Sequence, residues 1–339
     1  MINLAYIIVT VVVAILITAL SGFWLVPYLK KLKYGQTILD IGPSWHKSKQ
    51  GTPTMGGIMF IIGSVVAVII GSIVYFSANE ASQYMVLRII VSMGMALLFG
   101  LVGFVDDYIK VVKKQNEGLT ASQKFLLQLI VAASYMGALY LIGDTETTFL
   151  VPFFGEVDFG IFYYVVSVFI IVGCVNAVNL TDGIDGLAGT VTCVSSVFLF
   201  IMSALLYADD MKILSIALAG ACLGFLFWNF HPAKTFMGDT GSLFLGGYIA
   251  AIAFGLKIPF ILLFVGIIYI VETLSVIIQV ISFKTTGKRV FKMSPIHHHF
   301  EMSGYSEEKI VFLFSLVQLI GCCLGVWQLI KWLPFIFKI

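Results

Sequence analysis

The chain has 339 residues, of which 60% are hydrophobic and only 11% are charged, and its mean hydropathy is +1.02. Soluble domains carry about 25% charged residues, so this composition excludes a soluble enzyme and a disordered chain. Twenty Lys and Arg residues nearly balance eighteen Asp and Glu residues, which also excludes a nucleic-acid binder that works through a basic patch. The sequence therefore predicts a single all-α membrane domain over residues 1–339, with no linker to divide it.

Apolar runs define the membrane-spanning elements, because about 20 consecutive apolar residues cross a bilayer as a helix. In chain order we predict ten spans, at residues 3–27, 54–76, 86–105, 125–142, 160–178, 190–207, 212–230, 243–256, 258–282 and 310–331. The eighth is short, with glycines and a proline near its ends, so it could tilt or lie half-buried. Between the fourth and fifth spans, residues 143–160 alternate apolar and polar positions around a Pro/Gly segment. That pattern predicts a small external hairpin, whose four acids we expect to be solvated and without a basic partner.

The positive residues predict the orientation of these spans. Fifteen of the twenty Lys and Arg residues fall in odd-numbered loops. Because basic residues mark the cytoplasmic side of a membrane protein, we expect the odd loops inside and both termini outside.

Two adjacent carboxylates, Asp106 and Asp107, end the third span and are followed by Lys110. Adjacent acids repel each other unless a cation or water neutralises them. Mg²⁺ prefers one or two carboxylates together with substrate phosphates, so this pair is a candidate metal site on the inner face. The alternative is a pair of solvated acids at the membrane boundary.

Two glycine-rich turns place further acids on the same predicted face. Residues 176–189, NAVNLTDGIDGLAG, carry Asn179, Asp182 and Asp185, and residues 236–242, FMGDTGS, carry Asp239 just before the eighth span. An acid in such a turn, beside backbone amides and a hydroxyl, is typical of a metal–phosphate site. Helix capping explains such a turn equally well.

Two other inner loops and one span complete the set of polar motifs. Residues 45–57, WHKSKQGTPTMGG, offer donors suited to an anion, or simply set the topology, and residues 295–301 read PIHHHFE. Three consecutive histidines cannot all face one metal from a helix, so hydrogen bonding to phosphate is the better use for them. Glu272 lies inside the ninth span, where an ionisable residue is a functional candidate.

Together these motifs resemble one family, the phospho-N-acetylmuramoyl-pentapeptide transferases, over essentially the whole chain. The resemblance is carried by GTPTMGG at 51–57, GFVDDY at 103–108, NAVNLTDGIDGLAG at 176–189, FMGDTGSL at 236–243, VETLSVIIQV at 271–280 and PIHHHFE at 295–301. The carboxylate motifs are shared with a wider superfamily of polyprenyl-phosphate hexosamine-1-phosphate transferases. GTPTMGG and PIHHHFE are the more specific pair.

The resemblance implies a reaction and a setting. UDP-MurNAc-pentapeptide would donate its phospho-sugar to undecaprenyl phosphate, giving lipid I and UMP, with Mg²⁺ as cofactor. It also implies a ten-helix enzyme, commonly a homodimer, in the bacterial cytoplasmic membrane, with its active site on the cytoplasmic face. The donor and the bilayer-embedded lipid phosphate are the expected partners, and no nucleic acid is expected.

The resemblance further assigns roles by position. It implies catalytic roles for Asp106, Asp107, Asp239 and the histidines His297, His298 and His299, with Asp239 and Asp107 as magnesium ligands. It implies substrate binding by Lys49, Thr54, Lys110, Lys114, Lys124, Asn179, Asp182, Asp185, Phe236 and Gln279. Phe236 would stack on the uracil ring.

Several alternatives stay open at the level of sequence. Direct attack by the lipid phosphate is favoured, with Asp106 orienting or deprotonating it, and a covalent aspartyl-phosphate route stays open. Because that phosphate is already largely dianionic at neutral pH, a base at Asp106 has little proton to remove. A sister transferase that uses UDP-GlcNAc would keep the acids but should lack GTPTMGG and the triple histidine. A secondary transporter would place its acids near the bilayer midplane, where only Glu272 clearly lies. Finally, we expect the ninth span to be bent or broken near Glu272 and to border an apolar groove that leads to Asp106.

Overall fold

The computed structural model describes residues 4–31, 49, 51–112, 117–152 and 154–337, and over these ranges the chain is almost entirely helical. The helices are α1 (Leu4–Lys31), α2 (Gly57–Ala78), α3 (Gln83–Val112), α4 (Ala121–Leu141), α5 (Phe162–Thr181), α6 (Leu187–Leu205), α7 (Asp209–Asn229), α8 (Gly238–Gly255), α9 (Leu262–Val265), α10 (Ile267–Thr286), α11 (Ile296–Glu301) and α12 (Glu307–Phe337). Within the described ranges, nine of them are long and apolar enough to span a membrane. A helix is the expected form for such runs, because it satisfies every backbone polar group internally where water is absent.

The predicted eighth span corresponds to α8, which lies at the centre of the bundle. It has 18 residues, so its length is about 27 Å. Every residue from Thr240 to Gly255 is buried, and α3 and α5 pack along it. The helix is therefore surrounded by protein and not by lipid. For that reason it can contain glycines and hydroxyl side chains and be less apolar than a lipid-facing span.

The first helix shows how the membrane inverts the usual pattern of burial. From Tyr6 to Gly22 its buried positions recur every four residues and are mostly small or polar: Tyr6, Thr10, Ala14, Thr18 and Gly22. Large apolar side chains occupy the opposite, exposed face, at positions 4, 8, 12, 16 and 20. Small residues allow helix backbones to approach closely in a bilayer, and lipid tails accommodate the large ones.

The predicted ninth span is broken, but not at Glu272. A short 3-10 turn (Pro259–Ile261) leads into α9, and the chain then leaves helical geometry at Gly266 (φ −123°, ψ 19°) before α10 begins. The break thus lies six residues before Glu272, which sits inside the regular part of α10. One face of α10 is exposed and apolar, with Leu274, Ile277 and Ile281 among its members.

The hairpin predicted at residues 143–160 is confirmed, whereas the prediction that its four acids lack a basic partner is wrong for two of them. Strands β1 (Thr148–Val151) and β2 (Gly155–Asp158) pair antiparallel. Lys257, which follows α8, lies 3.3 Å from Asp144 and 3.1 Å from Glu146. The two acids near β1 therefore have a basic partner, from a segment more than a hundred residues away in sequence, that local sequence inspection could not supply.

Candidate active site

Five polar segments meet at one end of the bundle. They are the segment before α2, the end of α3 with the start of α4, the α5–α6 turn, the segment that leads into α8, and the region of α11 and the start of α12. Hydrogen bonds, ion pairs and close contacts join these segments to one another. The convergence that the sequence predicted for the odd-numbered loops is therefore present in the fold.

The centre of the site is a triad of carboxylates from two helices. Oxygens of Asp106, Asp107 and Asp239 lie within 4.8 Å of one another. The ammonium group of Lys110 lies 2.6 Å from Asp106 Oδ2 and 2.7 Å from Asp239 Oδ2. Lys124, from the first turn of α4, lies 3.1 Å from Asp239 Oδ2. Two cations thus offset the repulsion among three clustered acids.

The three acids differ in how many hydrogen bonds their carboxylate oxygens already accept from the protein. Asp107 Oδ2 accepts bonds from the backbone N–H and the hydroxyl of Thr240, at 2.9 and 2.7 Å, and its Oδ1 accepts from the Asp239 N–H at 3.2 Å. Asp106 Oδ1 accepts from the Leu119 N–H at 2.8 Å. Asp239 is the most exposed of the triad, with 17% of its side chain accessible, and it faces the two lysines.

A glycine makes this arrangement sterically possible. A Cβ on Gly103 would lie 2.1 Å from the Asp239 carbonyl oxygen and 2.6 Å from the Thr240 nitrogen. The backbones of α3 and α8 therefore touch at this point, one helical turn before Asp107. The glycine of GFVDDY sets the distance at which Asp107 reaches the first turn of α8.

The end of α5 adds an amide and a fourth aspartate to the centre. Asn179 donates from Nδ2 to Asp239 Oδ1 at 2.7 Å and to Ser242 Oγ at 2.8 Å. Asp182, which caps the end of α5, is partly buried near the triad. Burial, followed by the charges of Asp239 and Asp107, raises the pKa of Asp182 to about 8.

The segment before α2 lies against the segment that enters α8. Pro53 O accepts from the Phe236 N–H and from the Thr235 hydroxyl, both at 2.9 Å, and the Gly56 N–H donates to Phe236 O at 2.8 Å. Thr54 and Phe236 are each partly exposed beside this pairing. The GTPTMGG and FMGDTGSL motifs, 180 residues apart in sequence, thus form one continuous wall of the site.

A second charged cluster lies at the α5–α6 turn. Lys49 Nζ lies 2.7 Å from Asp185 Oδ1 and 2.7 Å from Glu307 Oε2. Asp185 Oδ2 accepts from the Ala233 N–H at 2.9 Å and lies 3.1 Å from His231 Nδ1. Lys49 and Asp185, which the family resemblance assigned to substrate binding, are therefore direct neighbours.

The three histidines of α11 take three different partners. His297 is fully buried, with Nδ1 3.1 Å from Glu272 Oε1, and a Cβ on Gly183 would lie 2.1 Å from its Nε2. His298 Nδ1 lies 2.6 Å from Glu301 Oε2. His299 Nδ1 accepts from the Lys292 N–H at 3.2 Å. The buried Glu272 thus has a partner in His297, which also bridges α10 to the turn that carries Asp182.

Gln279, which was assigned to substrate binding, contacts a loop and not the carboxylate triad. Gln279 Oε1 accepts from the Val290 and Phe291 N–H groups at 3.0 and 2.9 Å, and its Nε2 donates to Phe291 O at 3.0 Å. Its amide therefore fastens the loop after α10. Lys114 lies outside the described residues.

Two members of the second charged cluster, Glu307 and His231, were not predicted from the sequence. Glu307 begins the last span, where an acid in the first turn of a helix is adequately explained by the helix dipole. His231 stands alone between α7 and the next motif. Neither has a local pattern that would reveal it, because each gains its role only by contact with Asp185.

A polytopic helix bundle with clustered carboxylates and lysines at one end is the architecture of a membrane-embedded transferase for phosphate-bearing substrates. In agreement, a family model described as Glycosyl transferase family 4 matches residues 87–257, about half of the chain. That stretch contains the whole carboxylate triad together with Lys110, Lys124 and Asn179.

More specific comparisons narrow the class. A model described as Phospho-N-acetylmuramoyl-pentapeptide-transferase signature 1 matches residues 49–61. The chain is 47% identical to the phospho-N-acetylmuramoyl-pentapeptide-transferase of Oceanobacillus iheyensis over 328 residues. This alignment covers 96% of this chain and 98% of the relative. A protein of the same name from Clostridium perfringens (strain 13 / Type A) is 46% identical over 93% of this chain. Another, from Bacillus subtilis (strain 168), is 45% identical over 94% of this chain. Each alignment covers 96% of the relative. The chain belongs to the phospho-N-acetylmuramoyl-pentapeptide-transferase family.

Proposed function

We propose that this protein transfers phospho-MurNAc-pentapeptide from UDP-MurNAc-pentapeptide to undecaprenyl phosphate, giving lipid I and UMP for peptidoglycan synthesis. The observation that carries the proposal is the cluster of Asp106, Asp107 and Asp239 with two lysines, inside a chain that belongs to this transferase family. Phosphoryl transfer depends mostly on positioning and on neutralisation of charge. Such a cluster supplies both.

The donor set fits a magnesium ion. Three carboxylates with oxygens within 4.8 Å of one another are hard ligands of the kind that Mg²⁺ prefers. Asp239 is the principal ligand in this proposal, since it is the most accessible of the three. Asp107 would contribute through Oδ1, because Oδ2 already accepts two bonds from Thr240. When bound, the ion neutralises phosphate charge and stabilises the leaving UMP.

The lysines of the site bind the phosphates. Lys110 and Lys124 point at the same oxygen of Asp239, so both ammonium groups face the position where a diphosphate would lie beside that carboxylate. Their charge reduces the repulsion between the donor diphosphate and the incoming lipid phosphate. We assign the same role to Lys114 from the family resemblance.

Asp106 acts in this proposal as an orienting group. Its Oδ1 accepts from the Leu119 N–H and its Oδ2 pairs with Lys110. A carboxylate bonded at both oxygens is poorly prepared to form an aspartyl-phosphate, and it holds Lys110 in place. The lipid phosphate therefore attacks directly.

The uridine part of the donor is expected in the space between the two charged clusters. Lys49, Thr54, Asn179, Asp182, Asp185 and Phe236 are the proposed contacts. The partly exposed Phe236 ring, between these polar groups, offers a face on which uracil can stack. Because His297 is buried and Gln279 fastens a loop, we assign both a positioning role, and leave phosphate contacts to His298 and His299.

The lipid substrate requires access from the side. The exposed apolar face of α10 and the break at Gly266 support a lipid-facing groove there. A cavity of about 340 Å³ lies at the end of α10, lined by residues that include Gln279, Phe283, Lys284 and Arg289. The continuation of this groove to Asp106 stays a prediction.

Four further expectations also stay predictions. They are location in the bacterial cytoplasmic membrane, placement of the site on the cytoplasmic face, both termini outside, and a homodimer.

An assay of UMP release tests the proposed function. Purified protein is expected to release UMP from UDP-MurNAc-pentapeptide only when undecaprenyl phosphate and Mg²⁺ are both present. UDP-GlcNAc added in excess should not compete, which separates this donor from that of the sister transferases. UMP release without the lipid phosphate would contradict direct attack, and preferential use of UDP-GlcNAc would contradict the donor assignment.

A further inference from the structure

Glu307, in the first turn of α12, reaches across the bundle to the second charged cluster. Its Oε2 lies 2.7 Å from Lys49 Nζ and accepts from the Asp185 N–H at 2.9 Å. Its side chain is buried, with 9% accessible. The position lies outside both family-model matches, which end at residues 61 and 257.

Lys49 is the cation at the centre of this cluster. Ligand atoms of Asp185, His231 and Glu307 lie within 4.8 Å of one another, and the Lys49 ammonium group contacts two of the three residues at 2.7 Å. An ammonium group has three N–H donors. Among the described residues the two carboxylates take two of them, which leaves the third available to a ligand.

The geometry also fixes Asp185. Its backbone N–H binds Glu307, its Oδ1 binds Lys49, and its Oδ2 accepts from Ala233. The same Glu307 oxygen therefore holds both the backbone of the turn and the ammonium group that the turn's carboxylate binds. Loss of that oxygen would loosen the two together.

We propose that Glu307 is a positioning residue for the donor nucleotide, which holds Lys49 and the α5–α6 turn in their binding geometry. This inference rests on the proposed function, in which Lys49 and Asp185 contact the uridine part of the donor. Glu307 contacts neither the carboxylate triad nor its lysines among the described residues. Its effect should therefore fall on donor binding, while the transfer step itself is preserved.

Glu307→Gln tests this role, with Glu308→Gln as the matched control. Glu308 is the next residue of the same helical turn, its side chain is 49% accessible, and its Oε1 lies 3.8 Å from His231 Nε2. With undecaprenyl phosphate and Mg²⁺ saturating, Glu307→Gln should raise the KM for UDP-MurNAc-pentapeptide about tenfold, the size expected from one charge-assisted hydrogen bond. The kcat should change less than twofold, and Glu308→Gln should match the wild type.

A double-mutant cycle with Lys49→Met separates positioning from general stability. If Glu307 acts through Lys49, Glu307→Gln should add little to the KM of Lys49→Met, whereas a merely structural defect would add its full effect. Glu307→Asp, which keeps the charge, should recover part of the wild-type KM. Equal loss of kcat in every variant, or an unchanged KM in Glu307→Gln, would overturn the inference. A wild-type protein that releases no UMP would instead contradict the proposed function.

Discussion

At the scale of single residues, acids that look alike in sequence differ in the hydrogen-bond partners of their carboxylate oxygens. Asp106 and Asp107 are adjacent, yet Asp107 is bonded to the first turn of α8 and Asp106 is bonded to the start of α4 and to Lys110. The Asp239 carboxylate instead bonds to the side chains of Lys110, Lys124 and Asn179. Side chains can rearrange when an ion or phosphate enters, so Asp239 is the acid best able to exchange its partners.

Asp239→Asn should therefore nearly abolish turnover and its dependence on Mg²⁺ while the protein stays folded. Loss of a metal-held phosphate costs several kcal/mol of transition-state stabilisation, roughly a thousandfold or more in rate. UMP release over a range of Mg²⁺ concentrations measures the effect, and the thermal unfolding midpoint checks the fold. Glu156→Gln, an exposed acid in β2, is the control. Near-normal activity of Asp239→Asn at saturating Mg²⁺ would remove Asp239 from the metal site.

At the scale of secondary-structure elements, close helix contacts place the proposed catalytic groups. The α3–α8 contact at Gly103 and the contact of α2 with α8, where a Cβ on Gly57 would lie 2.4 Å from Gly241 Cα, both flank the carboxylate triad. The glycines in the motifs thus have a steric purpose. Ordinary helix propensity would favour alanine at either position.

Gly103→Ala is expected to damage both stability and activity, because the new Cβ meets backbone atoms that cannot move aside. Overpacking of this kind costs about 1–3 kcal/mol, and displacement of α8 should weaken the bonds from Thr240 to Asp107. We expect a lower thermal midpoint and at least a tenfold loss of UMP release. Gly94→Ala is the control in the same helix, since a Cβ there meets nothing within 4 Å. If the two variants behaved alike, the close approach of α3 and α8 would not matter for the site.

At the scale of the whole molecule, polarity is divided between the interior and one end of the bundle. Large apolar side chains face outward along α1 and α10, whereas the two charged clusters lie among the odd-numbered loops. The opposite end carries the hairpin and its ion pairs with Lys257. This division predicts which end faces the cytoplasm.

Cysteine labelling checks that orientation. Single cysteines at the exposed positions 117 and 286 should resist an impermeant thiol reagent in intact cells and react after lysis, while cysteines at the exposed positions 79 and 154 should react in intact cells. The positive-inside distribution is the reason. The unsubstituted chain reports any background from its own five cysteines. Labelling of position 117 or 286 from outside would reverse the orientation.

Much of this protein was determined by its sequence alone. Apolar runs of about 20 residues can satisfy their backbone only as membrane helices, so the bundle follows from hydropathy, and the hairpin follows from alternation. The candidate catalytic acids could be selected on a related ground, because charged residues in or beside a membrane are costly unless they have a function. The family motifs then related Asp106, Asp107 and Asp239 to one another.

The remaining features of the site were set by tertiary contacts. The break at Gly266, the partner of Glu272, the loop contact of Gln279 and the role of Glu307 all depend on groups brought from distant parts of the chain. Local sequence records which side chains are present, and hydropathy records where they lie relative to the membrane. The pairing of each carboxylate oxygen with its donor depends on helix packing at the scale of an ångström. The glycines that permit such packing can be recognised only when the neighbouring backbone is known.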